Sequence, residues 1–375
     1  MKNENFDATV ESERFAFNNK ISLRQLQALL LLEIFGFGVT ALPRRVAEHA
    51  GQDGWISVIM AVVYIIIVAA MMTWVTKRFA GHSFYQMAGK ILGRPLGVVF
   101  ALLLCLRLVF MAAFNLRIFA EITRQAMLPT TPFAVVFTAM LMIAAYGAAK
   151  GIESRARTAE VLVLVALLPL IFVFGLSGRE IDFSNLTPVM AANWQDITSG
   201  SFSAFFAFSG IEILMIVGPF LARPKNLGKS STQIIVTIGL LMVVVTAMTI
   251  ARFGPANVVH QMWPVLKLMD TTNMPGSIID RQGALIMTFW IISAYATINA
   301  ALFFSSLLLK DVVKKGQHSL YILVLMPIIA IAAHWPSNLA QVYEYFNKAN
   351  MTLGVATMAV VPLILFVMAK IRRLR

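Results

Sequence analysis

Ten apolar runs, each close to the length needed to cross a lipid bilayer, constrain the fold of this chain more than any other feature. A helix that crosses a hydrocarbon core of roughly 30 Å needs about 20 apolar residues, because each residue adds about 1.5 Å. We therefore predict an all-α integral membrane protein with ten transmembrane helices. The runs are bounded by charge, glycine or proline and lie near 22–42, 55–76, 95–126, 132–149, 158–177, 200–221, 232–251, 283–309, 319–335 and 351–369.

The charged residues fit a membrane protein better than a nucleic-acid-binding one. Of 375 residues, 59% are hydrophobic and 13% are charged, whereas aqueous domains carry about a quarter charged residues. The net charge of +13 comes from short basic clusters between apolar runs, and no basic face with interleaved aromatic residues is present. We expect contact with the lipid bilayer and none with nucleic acid.

The distribution of basic residues predicts the topology. With the N-terminus in the cytoplasm, 21 Lys and Arg residues fall in inner segments and 8 in outer ones, as the positive-inside rule requires. Both termini are then cytoplasmic. Residues 1–20 are polar and lack the apolar core of a signal peptide, so we predict a disordered cytoplasmic tail at 1–20 and a single transmembrane domain at 21–372.

No pattern typical of an enzyme or a metal protein is present. The single Cys105 excludes an intramolecular disulfide, and the five histidines are scattered over loops and helix ends. The sequence also lacks a phosphate-binding GxxxxGK[ST] loop and a recognisable nucleophile with its base. We predict a protein that is not an enzyme and that needs no cofactor and no metal.

Two of the predicted helices contain residues that a membrane helix tolerates poorly. Helix 1 (QALLLLEIFGFGVTALPRR) contains Gly36 and Gly38, and helix 6 (FSAFFAFSGIEILMIVGPF) contains Ser209, Gly210 and Glu212. Each glycine costs a helix about 1 kcal/mol relative to Ala, and a carboxylate near mid-membrane costs several kcal/mol more. We predict breaks at Gly36–Gly38 and Ser209–Glu212; the alternative is that these glycines only permit close helix packing.

The two breaks fall in the first helix of each five-helix half, which is the pattern of an inverted repeat. We place the first repeat at about 21–177 and the second at about 198–370. An unwound helix frees N–H and C=O groups that bind the carboxylate and the ammonium of a small amino-acid-like ligand. The predicted ligand-binding residues are Gly36, Phe37, Gly38, Thr40, Phe208, Ser209, Gly210, Glu212, Tyr295 and Thr297.

Other polar residues within the predicted helices leave alternatives open. Glu33 either pairs with a neighbouring helix or contacts a proton or the ligand, and Arg107 has Glu33 or Glu212 as a candidate partner. Arg117 and Glu121 are spaced i, i+4 and are expected to pair on one helix face. Ser293, Tyr295, Thr297 and Asn299 in helix 8 either form interhelical hydrogen bonds or face a cavity.

Two long connections are expected to carry structure of their own. The inner segment 77–94 predicts a short interfacial helix. The outer segment 252–282, which contains Pro275 and Gly276, predicts a helical hairpin that is either a lid over an external opening or an ordered cap without a gating role.

Three segments resemble the spore germination permease-like family, the B subunits of nutrient germinant receptors within the amino acid–polyamine–organocation superfamily. They are ISLRQLQALLLLEIFGFGVTALPR, LPTTPFAVVFTAMLMIAAYGAAKGIESRARTAEV, and NLTPV followed by FAFSGIEILMIVGPFLARPKN. The resemblance covers essentially residues 20 to 372. The individual motifs are weak, and their order along the chain is more specific.

The resemblance implies a 5+5 inverted repeat with broken helices 1 and 6, and a germinant such as an amino acid sensed in the inner membrane of a bacterial spore. It implies the receptor A and C subunits as partners, and Glu153 and Arg157 after Gly151 as residues of a cytoplasmic gate; a solvated helix start is the alternative for these residues. A secondary transporter coupled to protons or Na⁺ remains the second hypothesis, and a ligand-free scaffold the third.

Overall fold

The computed structural model describes residues 19–126, 128–177, 181–270 and 282–373. These residues are all-helical, and the only β contact among them is an isolated bridge between Ile21 and Leu221. Residues 1–18 of the expected tail lie outside the described residues.

The first half of the chain begins with a helix that is interrupted and then resumed. A short helix begins after a capping box at Ser83. It lies within 77–94, where the sequence predicted a short interfacial helix. The helices of this half are α1 Leu23–Gly38, α2 Leu42–Ala50, α3 Gly54–Arg78, α4 Phe84–Leu92, α5 Arg94–Ala126, α6 Phe133–Ala149 and α7 Gly151–Ser177.

The second half begins with a similar interruption and ends in a helix with two π-helical stretches, Asn350–Gly354 and Ala356–Val360. Its helices are α8 Trp194–Phe205, α9 Ile213–Ile216, α10 Leu227–Phe253, α11 Pro255–Val259, α12 Pro264–Asp270, α13 Gln282–Val313, α14 His318–His334, α15 Leu339–Ala349 and α16 Val361–Ile371. Helices α11 and α12 occupy the segment predicted as a hairpin, whereas Pro275 and Gly276 lie outside the described residues.

Within the described residues, five helices are long and apolar enough to cross a membrane, or six if α6 and α7, bent by 118°, form one span. Helix α1 has 16 residues and α14 has 17, so neither reaches span length by itself. The all-helical architecture is that of a membrane protein, and the arrangement in ten spans stays a prediction.

Helix α13 lies at the centre of the molecule. It packs against α1, α5, α6, α7 and α14, and its span Met287–Val313 is the most buried of the five. Peripheral helices carry exposed aliphatic side chains such as Leu164, Leu323 and Ile331, as expected of helices that face lipid. The first interrupted helix, α1, therefore packs against this buried centre.

Candidate functional site

The first interruption lies between α1 and α2. The chain leaves helical structure at Val39–Ala41, and α2 resumes with Pro43 in its first turn. The prediction of a break at Gly36–Gly38 was wrong by a few residues, because both glycines are helical. A Cβ at Gly36 would lie 2.6 Å from Ser293 Cβ, and one at Gly38 would overlap the Ala207 carbonyl, so both glycines allow close packing, as in the alternative interpretation.

The second interruption lies where the sequence predicted it, at Ser209–Glu212. Helix α8 continues as a 3-10 turn over Phe206–Phe208, and the backbone then extends at Ser209 (φ −54°, ψ 136°). Gly210 follows with φ 107°, a conformation that favours glycine. A Cβ there would also lie 2.5 Å from Glu33 Cγ on α1. Glycine is required both by the backbone conformation and by the closeness of the two interrupted helices.

Glu212 is held inside the second interruption by the protein itself. Its Oε2 accepts a hydrogen bond from the Gly210 N–H (2.8 Å), and its Oε1 accepts one from Thr357 Oγ1 (3.2 Å). Arg107 Nε lies 3.8 Å from Oε1, and both side chains are 1% exposed. Arg107 Nη2 donates to Ser209 Oγ (2.9 Å). Arg107 therefore pairs with Glu212, and the Gly210 N–H expected to bind a ligand already has a carboxylate partner.

A second buried ion pair joins α1 to α7. Arg155 Nη2 lies 3.4 Å from Glu33 Oε2, and the Arg155 guanidinium lies 4.8 Å from the centre of the Phe304 ring on α13. The structure thus pairs Glu33 with a neighbouring helix, which was one of the two alternatives. Gly210 contacts Glu33 and also donates to Glu212, so the two ion pairs meet at the second interruption.

A cavity of about 40 Å³ lies beside the two interruptions. Asn115 on α5 is fully buried and lines it, and neither amide atom of Asn115 has a hydrogen-bond partner among the described residues. Leaving a buried polar group unsatisfied costs about 1–3 kcal/mol, and a water molecule needs about 10–15 Å³. The cavity is therefore polar and large enough for a small number of waters.

Opposite charges and aromatic rings complete the cavity wall. The Glu33 carboxylate comes from α1 and the Arg45 guanidinium from α2, and Arg45 lies 5.6 Å from the centre of the Phe346 ring. Tyr343 lines the same cavity, and its hydroxyl accepts a hydrogen bond from Trp263 Nε1 (2.6 Å) just before α12. The cavity is thus linked to the segment predicted as a lid or cap.

The predicted ligand-binding residues divide into two groups. Four of them line the cavity together with Glu33: Gly38, Thr40, Ser209 and Thr297. Five others are not among its lining residues: Gly36, Phe208, Gly210, Glu212 and Tyr295. The Phe37 side chain lies outside the described residues.

The eighth predicted helix corresponds to α13 of the structure. Several of its polar residues form hydrogen bonds within the helix or to a neighbouring helix. Ser293 donates to Phe289 O (2.7 Å), Thr297 donates to Ser293 O (3.0 Å), and Asn299 donates to Ala144 O on α6 (2.9 Å). Tyr295 and Arg155 line a separate void of about 20 Å³. Interhelical and intrahelical hydrogen bonds thus account for these three side chains, although Thr297 also lines the cavity.

One predicted ion pair and two predicted gate residues form ion pairs within one helix. Arg117 Nη2 lies 3.1 Å from Glu121 Oε1 on α5, which confirms the i, i+4 pairing. Arg157 Nη2 lies 2.6 Å from Glu153 Oε1 in the first turns of α7, where the Arg157 side chain is 40% exposed. Only Arg157 fits a solvated helix start, because Glu153 is buried, and the role of both residues in a gate stays a prediction.

The sequence did not single out four residues of the site: Asn115, Arg155, Arg45 and Tyr343. Asn115 was detectable, since it is the only amide in the apolar run LVFMAAFNLRIF. Arginine and tyrosine are common near the ends of membrane helices, so the other three residues gave no signal in the sequence. Only the packing of the helices brings them to the site. Among the described residues no group of three His, Cys, Asp or Glu side chains is placed to hold a metal ion.

Comparisons with known proteins identify the family of this chain. A family described as spore germination protein matches residues 20–342. The chain is 25% identical to spore germination protein YndE of Bacillus subtilis (strain 168), over 96% of this chain and 99% of the relative. It is also 25% identical to spore germination protein B2 and 24% identical to spore germination protein KB of the same strain, each over 93% of this chain and 94% of the relative. The chain therefore belongs to the spore germination protein family.

Proposed function

We propose that this chain is the B subunit of a nutrient germinant receptor and binds a small amino-acid-like germinant in the cavity beside the two interruptions. The observation that carries the proposal is the buried Asn115, whose amide has no partner among the described residues and lines the same cavity as Glu33 and Arg45. A buried amide without a protein partner is costly unless a polar ligand or water satisfies it.

The cavity chemistry fits a zwitterion. Glu33 accepts the ammonium group, Arg45 receives the carboxylate, and the Asn115 amide donates to or accepts from either. Met111, Ile118 and Phe346 supply an apolar wall for the side chain of the ligand. In this site side chains bind the zwitterion, in place of the freed main-chain groups expected from the sequence.

The size of the cavity supports a receptor that changes conformation. A volume of about 40 Å³ is far below the roughly 300–1,000 Å³ of pockets for drug-sized ligands. A germinant therefore binds a wider conformation, and its preference for that conformation shifts the population of states. The interruptions at Val39–Ala41 and Ser209–Glu212 adjoin the cavity and are the segments that move.

The proposed architecture is ten transmembrane helices in two inverted repeats, with α1–α2 and α8–α9 as the corresponding broken helices. The distribution of the basic clusters supports cytoplasmic termini. The relatives, which carry names of spore germination proteins, support a place in the inner membrane of a spore. Receptor A and C subunits are the proposed partners.

A second candidate function is proton- or Na⁺-coupled transport of the same ligand. The observation in its favour is the pair of buried carboxylates, Glu33 and Glu212, on either side of Gly210. Titratable carboxylates at membrane depth are characteristic of proton pathways.

Binding and uptake measured side by side test both functions. The purified chain is tested with a panel of radiolabelled L-amino acids that begins with L-alanine, first by equilibrium binding and then by uptake into proteoliposomes. Saturable binding without flux is expected for the receptor subunit. Accumulation against a gradient would establish the transporter, and absence of binding to the chain alone and to its complex would contradict both.

A further inference from the structure

A second cleft lies far from the cavity, at the ends of several helices. It has a volume of about 450 Å³ and lies between α4, the start of α5, the end of α13 and the turn that leads to α14. Four cationic side chains and one carboxylate line it: Lys90, Arg94, Lys310, Lys314 and Asp311. The proposed germinant site leaves this cleft without a role.

The cations are arranged to bind an anion. Lys314 Nζ lies 5.6 Å from the centre of the Tyr85 ring, and Lys90 Nζ contacts His82 Nε2 at 2.6 Å. Among the described residues, neither Arg94 nor Lys310 forms an ion pair within 4 Å of a carboxylate. Four cations thus face one carboxylate, Asp311, which adjoins Lys310, so the cleft keeps an excess of positive charge.

The surroundings of the cleft favour a lipid over a soluble anion. Leu96 in the first turn of α5 is 46% exposed, Val313 at the end of α13 is 50% exposed, and Leu320 in the first turn of α14 is 56% exposed. Leu96 shares α5 with Arg94, Val313 shares α13 with Lys310, and Leu320 adjoins Gly316, which lines the cleft. A molecule with an anionic head and an apolar tail matches both surfaces, and basic pockets between transmembrane helices bind anionic head groups.

We propose that this basic cleft binds the phosphate head group of an anionic phospholipid, with the acyl chains against the neighbouring aliphatic residues. The proposal does not depend on the germinant site. It predicts that the anionic lipid bridges α4, α5 and α13 at the membrane surface, and thereby fixes the short interfacial helix to the bundle.

The test uses the purified full chain in detergent, titrated with phosphatidylglycerol and, in parallel, with phosphatidylcholine. Binding is measured by native mass spectrometry. The double variant Arg94→Gln/Lys310→Gln should lose about tenfold or more in phosphatidylglycerol affinity. The matched control Arg223→Gln/Lys225→Gln removes two exposed basic residues from another loop and should change the affinity less than twofold.

A variant that should bind phosphatidylglycerol more tightly distinguishes loss of the site from loss of folding. Asp311→Asn removes the one carboxylate of the cleft and should tighten phosphatidylglycerol binding severalfold. Equal losses in the two double variants, equal binding of phosphatidylcholine, or no gain in Asp311→Asn would overturn the proposal. Competition by glycerol phosphate at the lipid's own concentration would assign the cleft to a soluble phosphate, and preferential capture of an acidic peptide would assign it to a protein partner.

Discussion

At the scale of single residues, Asn115 differs from a second buried asparagine on the adjacent helix. Neither atom of its amide has a partner among the described residues, while Asn299 on α13, which packs against α5, donates to Ala144 O. The same residue type thus has a structural role at one position and lacks a structural partner at the other. This contrast makes the two asparagines a matched pair for mutagenesis.

Replacing Asn115 with Leu should abolish ligand binding without lowering stability. The change breaks no hydrogen bond within the described residues and removes the amide from the cavity, so the thermal unfolding midpoint should not fall while germinant affinity falls about tenfold or more. Asn299→Leu should instead lower the midpoint by loss of a hydrogen bond worth about 1 kcal/mol. A lower midpoint in Asn115→Leu with unchanged binding would contradict the proposed site.

Gly210→Ala should destabilise the protein more than Gly81→Ala. Both glycines have positive φ, 107° and 85°, so both substitutions carry backbone strain of about 1–2 kcal/mol. Only at Gly210 would the new Cβ also overlap Glu33, whereas nothing lies within 4 Å at Gly81. The overlap should add about 1–3 kcal/mol, measured by thermal unfolding in detergent. Equal shifts for both variants would refute the close contact between α1 and the second interruption.

At the scale of elements, the interruption of α8–α9 depends on a charge network rather than on apolar packing alone. The Glu212 carboxylate joins the Gly210 backbone to Thr357 in the last helix and to Arg107 on α5. Two π-helical stretches of the last helix lie at this contact, and π-helical turns are frequent at functional sites. Movement at the interruption must therefore involve α5 and the last helix as well.

Glu212→Ala should be far more destabilising than Glu48→Ala. Removal of Glu212 leaves the buried Arg107 without its carboxylate, which costs about 3–5 kcal/mol. Glu48 pairs with Arg44 at 2.8 Å, but both side chains are more than a third exposed, so its removal should cost about 0–1 kcal/mol. Chemical or thermal unfolding of the two variants measures the difference, and similar values would show that the buried network is not coupled to stability.

At the scale of the whole molecule, the lone Cys105 makes the topology testable. It is buried, so Cys105→Ala gives a background without cysteines for labelling by a membrane-impermeant maleimide in sealed right-side-out vesicles. Lys348→Cys should react directly, because Lys348 is exposed at the predicted outer side. Lys315→Cys should react only after permeabilisation, since α14 separates the two positions. Equal labelling of both before permeabilisation would contradict the proposed ten-helix topology.

Features that depend on neighbouring residues were predictable from the sequence, whereas features that depend on contacts between distant residues were not. The second interruption was predictable because Ser209, Gly210 and Glu212 conflict locally with a membrane helix. The first was misplaced because a glycine in a membrane helix can either unwind the helix or permit close packing. Only the contacts of Gly36 with Ser293 and of Gly38 with Ala207 show that both glycines permit close packing. Arg155 was missed as the partner of Glu33 because the pairing spans 122 positions.

The all-helical membrane class follows from local properties of the sequence: apolar runs of span length and residues that a membrane helix excludes. Packing settles which arginine pairs with which glutamate, that Asn115 meets Arg45 and Tyr343 at one cavity, and that the Gly210 N–H is already satisfied. The difference arises because a membrane helix can be apolar on every side. Hydropathy then does not distinguish the lipid-facing side from the buried side, so only the packing places these residues.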